Sequence, residues 1–202
     1  MQDARWAAVV AGEAGDALFT LQHPPVITVG RRGSLGDLVA TADALAARGV
    51  DVVQTDRGGE LTYHGPGQLV LYPIVDLAAR GVGVADLVRG LAGAIASTLA
   101  ARGIHASYDR DRPGLWVGDA KICAVGMRIS KNVSRHGAAV NLTTALDAYE
   151  LFVPCGMPDA AATSVLRETG EAPDFDVFAA DTVRAFAAWL GAPLFMGDAT
   201  RD

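Results

Sequence analysis

Residues 112–142 read RPGLWVGDAKICAVGMRISKNVSRHGAAVNL, three β-prone stretches joined by connections of a few residues. They are LWV at 115–117, KICAVGMRIS at 121–130 and SRHGAAVNL at 134–142. A parallel crossover needs about a dozen residues or more, so these strands must pair antiparallel. Four more strand candidates precede them: VITV at 26–29, VDVVQ at 50–54, ELTYH at 60–64 and QLVLYPI at 68–74. Helical spacing appears at 84–103, where Leu87, Leu91, Ile95 and Leu99 recur every four residues before Gly103. Thr41 is a fitting N-cap for a helix ending near Gly49, and Phe178, Ala185, Phe186, Trp189 and Leu190 mark a third helix near the C-terminus. The expected fold class is α/β of the α+β type: a mixed, largely antiparallel sheet with helices packed against it.

At 202 residues the chain fits one domain, residues 1–202, with the polar stretch 167–176 too near the end to separate a second. Acidic residues outnumber basic ones, 23 to 17, which argues against a general nucleic-acid binder. No apolar run approaches the roughly 20 residues of a membrane span. With only Cys123 and Cys155, and no secretory pattern at MQDARWAAVV, a reducing, cytoplasmic setting is expected. The sequons at Asn132 and Asn141 are then chance matches. His23, His64, His105 and His136 lack the paired spacings of a zinc site, and no metal is expected.

Three segments can carry chemistry. In DRGGELTYHGPGQLVLYP, residues 56–73, Gly58, Gly59, Gly65 and Gly67 surround Thr62, Tyr63 and His64. Such glycines let backbone approach a ligand and offer N–H groups to an oxyanion, or they simply make tight turns beside a core histidine. Neither a Walker A nor a dinucleotide pattern is present. In KICAVGMRIS, alternation places Lys121 and Cys123 on one face with Val125, Met127 and Ile129, so Lys121 is either partly desolvated or snorkels into water. A hairpin turn at SKNVS, centred near Asn132, sets Gly126 opposite Gly137 and Ala138, and Lys121 opposite residues close to Thr143. The middle of that hairpin lacks bulk and suits one wall of an apolar slot. Cys155, between Pro154 and Gly156, sits in a loop near enough to return to Lys121, whereas Cys123 has the surroundings of a small core residue.

Taken in order, HPPVITVGRRG at 23–33, RGGELTYHGPGQLVLYPI at 57–74, RPGLWVGDAKICAVGMRIS at 112–130, HGAAVNL at 136–142 and VPCGMPD at 153–159 closely resemble the lipoyl(octanoyl) transferase family, the octanoyl-carrier-protein:protein N-octanoyltransferases. The resemblance runs from about residue 20 to about residue 166. It implies the fold of the biotin and lipoate protein ligase catalytic domain, and a catalytic pair, Cys155 and Lys121. It implies acyl-substrate contacts at Arg57, Gly58, Gly59, Glu60, Leu61, Thr62, Tyr63 and His64, at Ala124, Val125 and Gly126, and at Gly137, Ala138 and Ala139.

The implied reaction moves octanoyl from octanoyl-acyl carrier protein to Cys155, then to a lysine of a lipoyl domain, with no cofactor and no ATP. Acceptors would be the lipoyl domains of 2-oxoacid dehydrogenase complexes and the glycine cleavage H protein. Rival readings are an ATP-dependent ligase, a cysteine acyl-hydrolase and a noncatalytic acyl-binding module. Gln22 stands where the family often has an acidic residue, and Cys123 where it often has Ala. An acidic carrier would need a local basic patch, for which Arg31, Arg32, Arg128, Lys131 and Arg135 are the candidates.

Overall fold

The computed structural model describes residues 1–153 and 161–198. In chain order the elements are α1 (Gln2–Val10), β1 (Ala17–Leu21), β2 (Val26–Val29), α2 (Ala42–Ala47), β3 (Asp51–Gln54), β4 (Leu61–His64), β5 (Gln68–Ile74), α3 (Leu77–Arg80), α4 (Val84–Ala100), β6 (Ser107–Asp109), β7 (Gly114–Val117), β8 (Ala120–Ser130), β9 (Val133–Asn141), β10 (Ala161–Ala162), α5 (Val165–Thr169), α6 (Phe175–Leu190) and β11 (Phe195–Asp198). Among the described residues an eight-stranded sheet runs β11-β1-β5-β9-β8-β7-β6, with β10 beside β8, and a three-stranded sheet runs β3-β2-β4. The pairings are antiparallel except β1 with β11, β2 with β3 and β10 with β8.

The large sheet is covered on both faces. On one, Leu87, Leu91, Ile95 and Leu99 of α4 are fully buried with Phe178 and Phe186 of α6 against Leu18, Leu69 and Leu71. On the other, Trp6 and Val9 of α1 meet Phe19, Leu21, Val70 and Ile74. Strands β1 and β5 are therefore apolar in both directions, as a doubly covered strand must be. Helix α4 meets α6 closely at Gly90, where a Cβ would lie 2.3 Å from the Trp189 ring. Thr41 caps α2 by accepting from Ala44 N–H, and Asp174 caps α6 in the same way at Val177.

The β8–β9 hairpin turns more tightly than SKNVS suggested. Only Lys131 and Asn132 lie outside the strands, both with positive φ (50° and 62°), and Ser130 pairs with Val133. Gly126 pairs with Gly137 as the register predicts, but pairing of β8 with β9 ends at Cys123–Val140. Beyond that point β10 takes the place of β9, so Lys121 lies beside Ala162 rather than near Thr143.

Candidate active site

One step along β7, from Leu115 to Trp116, matches two along β8, from Cys123 to Lys121. The extra residue, Ile122, makes a bulge, and Ile122 and Cys123 both enter the core. Strict alternation predicts one face for Lys121 and Cys123; the bulge separates them. Lys121 lines a cavity of about 950 Å³, while Cys123 is 1% exposed and does not. Burial pushes the Cys123 thiol up to about 12, against the opposing pull of a backbone hydrogen bond with Ala139 and the Lys121 charge. It is a core thiol, protonated near neutrality.

The cavity wall opposite is the RGG segment. Arg57 is buried, and its guanidinium donates to Thr28 Oγ1 (3.0 and 2.8 Å), Thr28 O (2.6 Å), Glu60 O (2.8 Å) and Gly58 O (3.0 Å), tying the loop to β2. Gly58 N–H donates to Met127 O at 3.0 Å, so the loop continues the open edge of β8. A Cβ on Gly126 would stand 2.7 Å from Gly58 O, and one on Gly30 would stand 2.4 Å from Gly59 O. Main chain meets main chain here, which is why the glycines are needed. Gly67 N–H donates to Gln22 Oε1 at 2.7 Å, a contact that an acidic side chain at 22 would also make. The Gly58 and Gly67 N–H groups are thus already engaged, which removes them as oxyanion donors.

Thr62 and His64 of β4 face the cavity, while Tyr63, on the alternate side of the strand, packs in the core of the smaller sheet. Among the residues expected to contact substrate, Arg57, Gly58, Gly59, Glu60, Leu61, Thr62, His64, Ala124, Val125, Gly126, Gly137, Ala138 and Ala139 line the cavity, and Tyr63 does not. Cys155 lies outside the described residues.

His64 is 6% exposed, and burial drives its pKa down to about 3, so the imidazole is neutral. A 2.8 Å contact with Gln68 Oε1 assigns the proton to Nδ1, because Gln68 Nε2 is occupied as donor to Tyr63 O and Asn141 Oδ1. Nε2 is then an acceptor 3.4 Å from the Thr28 hydroxyl. Asn141 in turn donates to Thr163 O at 3.0 Å, just after β10.

His136 also lines the cavity, in a left-handed conformation (φ 56°). Its Nε2–H donates to Asp56 Oδ1 at 2.7 Å, and its backbone N–H to Gln2 Oε1 at 3.0 Å. Burial lowers the His136 pKa, partly opposed by Asp56. For Asp56 itself burial acts upward but is outweighed by its hydrogen bond from His136 and by the charges of Arg135 and Arg128, and its pKa is lowered. Tyr72 completes this wall, its hydroxyl 2.9 Å from His23 Nε2 and its pKa raised by burial to about 12. Thr28, Tyr72, Val84, Val88 and Tyr108 were not singled out from sequence. The lone polar groups inside the apolar runs VITV and QLVLYPI were the available signal for Thr28 and Tyr72.

The lipoyl protein ligase A/B catalytic domain family matches residues 1–187. An octanoyltransferase of Chloroflexus aggregans is 48% identical over 166 residues, covering 81% of this chain and 75% of that one. The chain belongs to the octanoyltransferase family. A second octanoyltransferase, from Nitratidesulfovibrio vulgaris, is 42% identical over 170 residues, covering 84% and 78%. The octanoyltransferase fold here is also that of a bi-partite lipoate protein ligase of Thermoplasma acidophilum, with TM-score 0.73 at 17% identity over 98% of this chain and 84% of that one. The biotin protein ligase of Aquifex aeolicus, solved with biotin and ATP, shares it more distantly: TM-score 0.56, 16% identity, 81% and 70% coverage.

The expected basic patch divides in this octanoyltransferase. Arg31 and Arg32 are exposed at the cavity, their N–H groups donating to Arg57 O and Gly59 O. Arg135 pairs with Asp3 and Asp56, Arg128 stands 3.8 Å from Asp56, and Lys131 lies over the Trp6 ring of α1. Those three are engaged by acidic and aromatic partners, Arg135 and Lys131 with residues of α1 and Arg128 with Asp56.

Proposed function

We propose that this chain, as one acyltransferase domain, transfers octanoyl from octanoyl-acyl carrier protein to a lipoyl-domain lysine through a Cys155 thioester. One observation carries the reading: Lys121 lines the cavity and is paired with β10, which immediately follows the segment holding Cys155. Thr163 N–H donates to Lys121 O at 3.0 Å, and Val153 N–H to Asp37 O at 2.8 Å, so the chain is anchored on both sides of that segment. Ala162 is seven residue steps along the chain from Cys155, a contour of at most about 25 Å.

In the first step the Cys155 proton passes to or is electrostatically displaced by Lys121, and the thiolate attacks the octanoyl thioester. The carrier's thiolate leaves, taking up a proton, and acyl-Cys155 forms. In the second step a neutral lysine amine attacks acyl-Cys155, the carbon–sulfur bond breaks as the amide forms, and the proton lost from the amine passes to Lys121 or to the departing Cys155 sulfur. Thioester-to-amide exchange is downhill, so ATP is not required. The cavity's apolar side chains Val84, Val88, Met127 and Ile129 suit an alkyl chain. No helix among the described residues is long and apolar enough to cross a membrane. A cytoplasmic setting suits a reaction that needs a reduced thiol.

Incubation with octanoyl-acyl carrier protein followed by intact mass and peptide mapping tests this. One octanoyl group on Cys155, passed on to a lipoyl domain without ATP, is the expected result. Acylation of Cys123, or dependence on ATP with free octanoate, overturns it.

A further inference from the structure

The β7–β8 pair sets Trp116 opposite Lys121. Lys121 Nζ stands 4.8 Å from the centre of the Trp116 ring, inside the range of about 6 Å over which an indole face attracts a cation. Three features of the fold produce this contact. The bulge at Ile122 takes Lys121 off the face that carries Cys123. Gly114 leaves a path for the lysine stem, since a Cβ there would lie 3.1 Å from Lys121 Cε and 2.6 Å from Cys123 O. The indole itself is fixed: it is buried, its Nε1–H donates to Arg112 O at 2.9 Å, and the Arg112 guanidinium lies 4.3 Å from the same ring. Arg112 is held in turn by Asp109, through Nε to Oδ2 at 2.7 Å and backbone N–H to Oδ1 at 3.1 Å. Tyr108 and Asp111 share the cavity wall with Lys121, and the Cys123 thiol feels the Lys121 charge from the core side.

We propose that Trp116 is a positioning residue for Lys121, its buried ring face helping to hold the ammonium at the cavity. The proposal rests on the reading that Lys121 sets the reactivity of Cys155. It assigns a task to the turn 109–113 as well: through Arg112 that turn clamps the indole, and through the indole it steadies the amine.

The test uses Trp116→Phe and Trp116→Leu in a Cys123→Ala background, each with and without Lys121→Met. Cys155 alkylation is followed against pH, kcat and KM are measured for octanoyl transfer, and thermal melts check folding. Trp116→Leu should move the alkylation profile about half a unit to one unit toward higher pH and lower kcat about ten-fold, with KM for the carrier changed less than about two-fold. Trp116→Phe, which keeps a ring face, should retain most of both. In the Lys121→Met background the Leu substitution should leave the alkylation profile where it was.

A Leu profile superimposed on the wild type, a Phe variant no better than Leu, or an equal shift without Lys121 would overturn the proposal. If Trp116→Leu does not fold, Arg112→Met releases the clamp on the indole while leaving the ring in place. Its shift should have the same direction and vanish with Lys121→Met; an unchanged profile would count against the proposal equally. Absence of any acyl adduct on wild-type Cys155 would instead remove the transferase reading, and the alkylation comparison would still judge Trp116.

Discussion

His64 makes the stability of this protein sensitive to mild acid. The imidazole is buried beside Thr28 and Gln68 with a pKa of about 3, against 6.5 for the free side chain. Between those values the unfolded chain binds a proton that the folded chain refuses, so the free energy of unfolding falls as pH falls below about 6.5 and levels off below the folded pKa. Each unit of difference is worth about 1.4 kcal/mol, which gives a loss of about 5 kcal/mol once the full window is crossed. At pH 5 the loss is about 2 kcal/mol, and it is set almost wholly by the unfolded pKa, because the buried imidazole is still neutral there.

His23 and His136 are also lowered, mainly by burial, and add to the same slope. Asp56, with its pKa lowered below the ordinary carboxylate range, loses its contribution only at lower pH. The measurement is urea unfolding of wild type and His64→Gln at pH 7 and pH 5. The variant should lose about 2 kcal/mol less than wild type between the two, a difference of roughly 4–8 °C if read as melting temperature. Equal losses in the two proteins would refute the placement of a neutral imidazole at residue 64.

Gly126→Ala puts a methyl group 2.7 Å from Gly58 O, and should destabilise the fold by about 1–3 kcal/mol and lower octanoyl transfer at least ten-fold; retention of both melting temperature and rate would contradict the close approach of loop and hairpin. Charge reversal of Arg31 and Arg32 together should raise KM for an acidic carrier protein several-fold and flatten its salt dependence, whereas reversal of Lys131 should do neither, as steady-state rates at two ionic strengths will show. Lys121→Arg should keep much of the thiolate if charge alone activates Cys155, and both Lys121→Arg and Lys121→Met should fail if proton transfer is needed; three superimposable alkylation profiles would dissolve the pair.

Elements with one dominant periodicity were legible in the sequence. The leucine ladder of α4, the alternation of β4 and the apolar run of β5 coincide with the structure to within a residue or two at β4 and β5, and at the start of α4. Strand β1 was not, because Ala17–Leu21 is buried on both faces and shows no alternation to read. Strands β6 and β10, of three and two residues, exist through their partners rather than through any pattern of their own. At the site, the glycines of the RGG segment read as letting backbone approach a ligand or as making tight turns, whereas Gly58 and Gly126 bring the loop and the hairpin backbone together. The face of Lys121 was misassigned, since a single extra residue at 122 reverses a period-two argument and leaves no mark in composition. Tyr63 was placed at the cavity by resemblance to its segment, yet alternation along β4 alone assigns it to the core.

The junction of Gly30, Gly58, Gly59 and Gly126 divides the cavity into a fixed side and an adjustable one. Where peptide groups themselves form the boundary, there is no side chain to trim or extend, so sequence drift can break that boundary but not regrade it. On α4, Val84 and Val88 border the same space with ordinary aliphatic groups one helical turn apart, where a methylene more or less is a small change. An octanoyltransferase built this way has one cavity wall fixed in its main chain, while the wall carried by α4 can change through a few positions on a single helix.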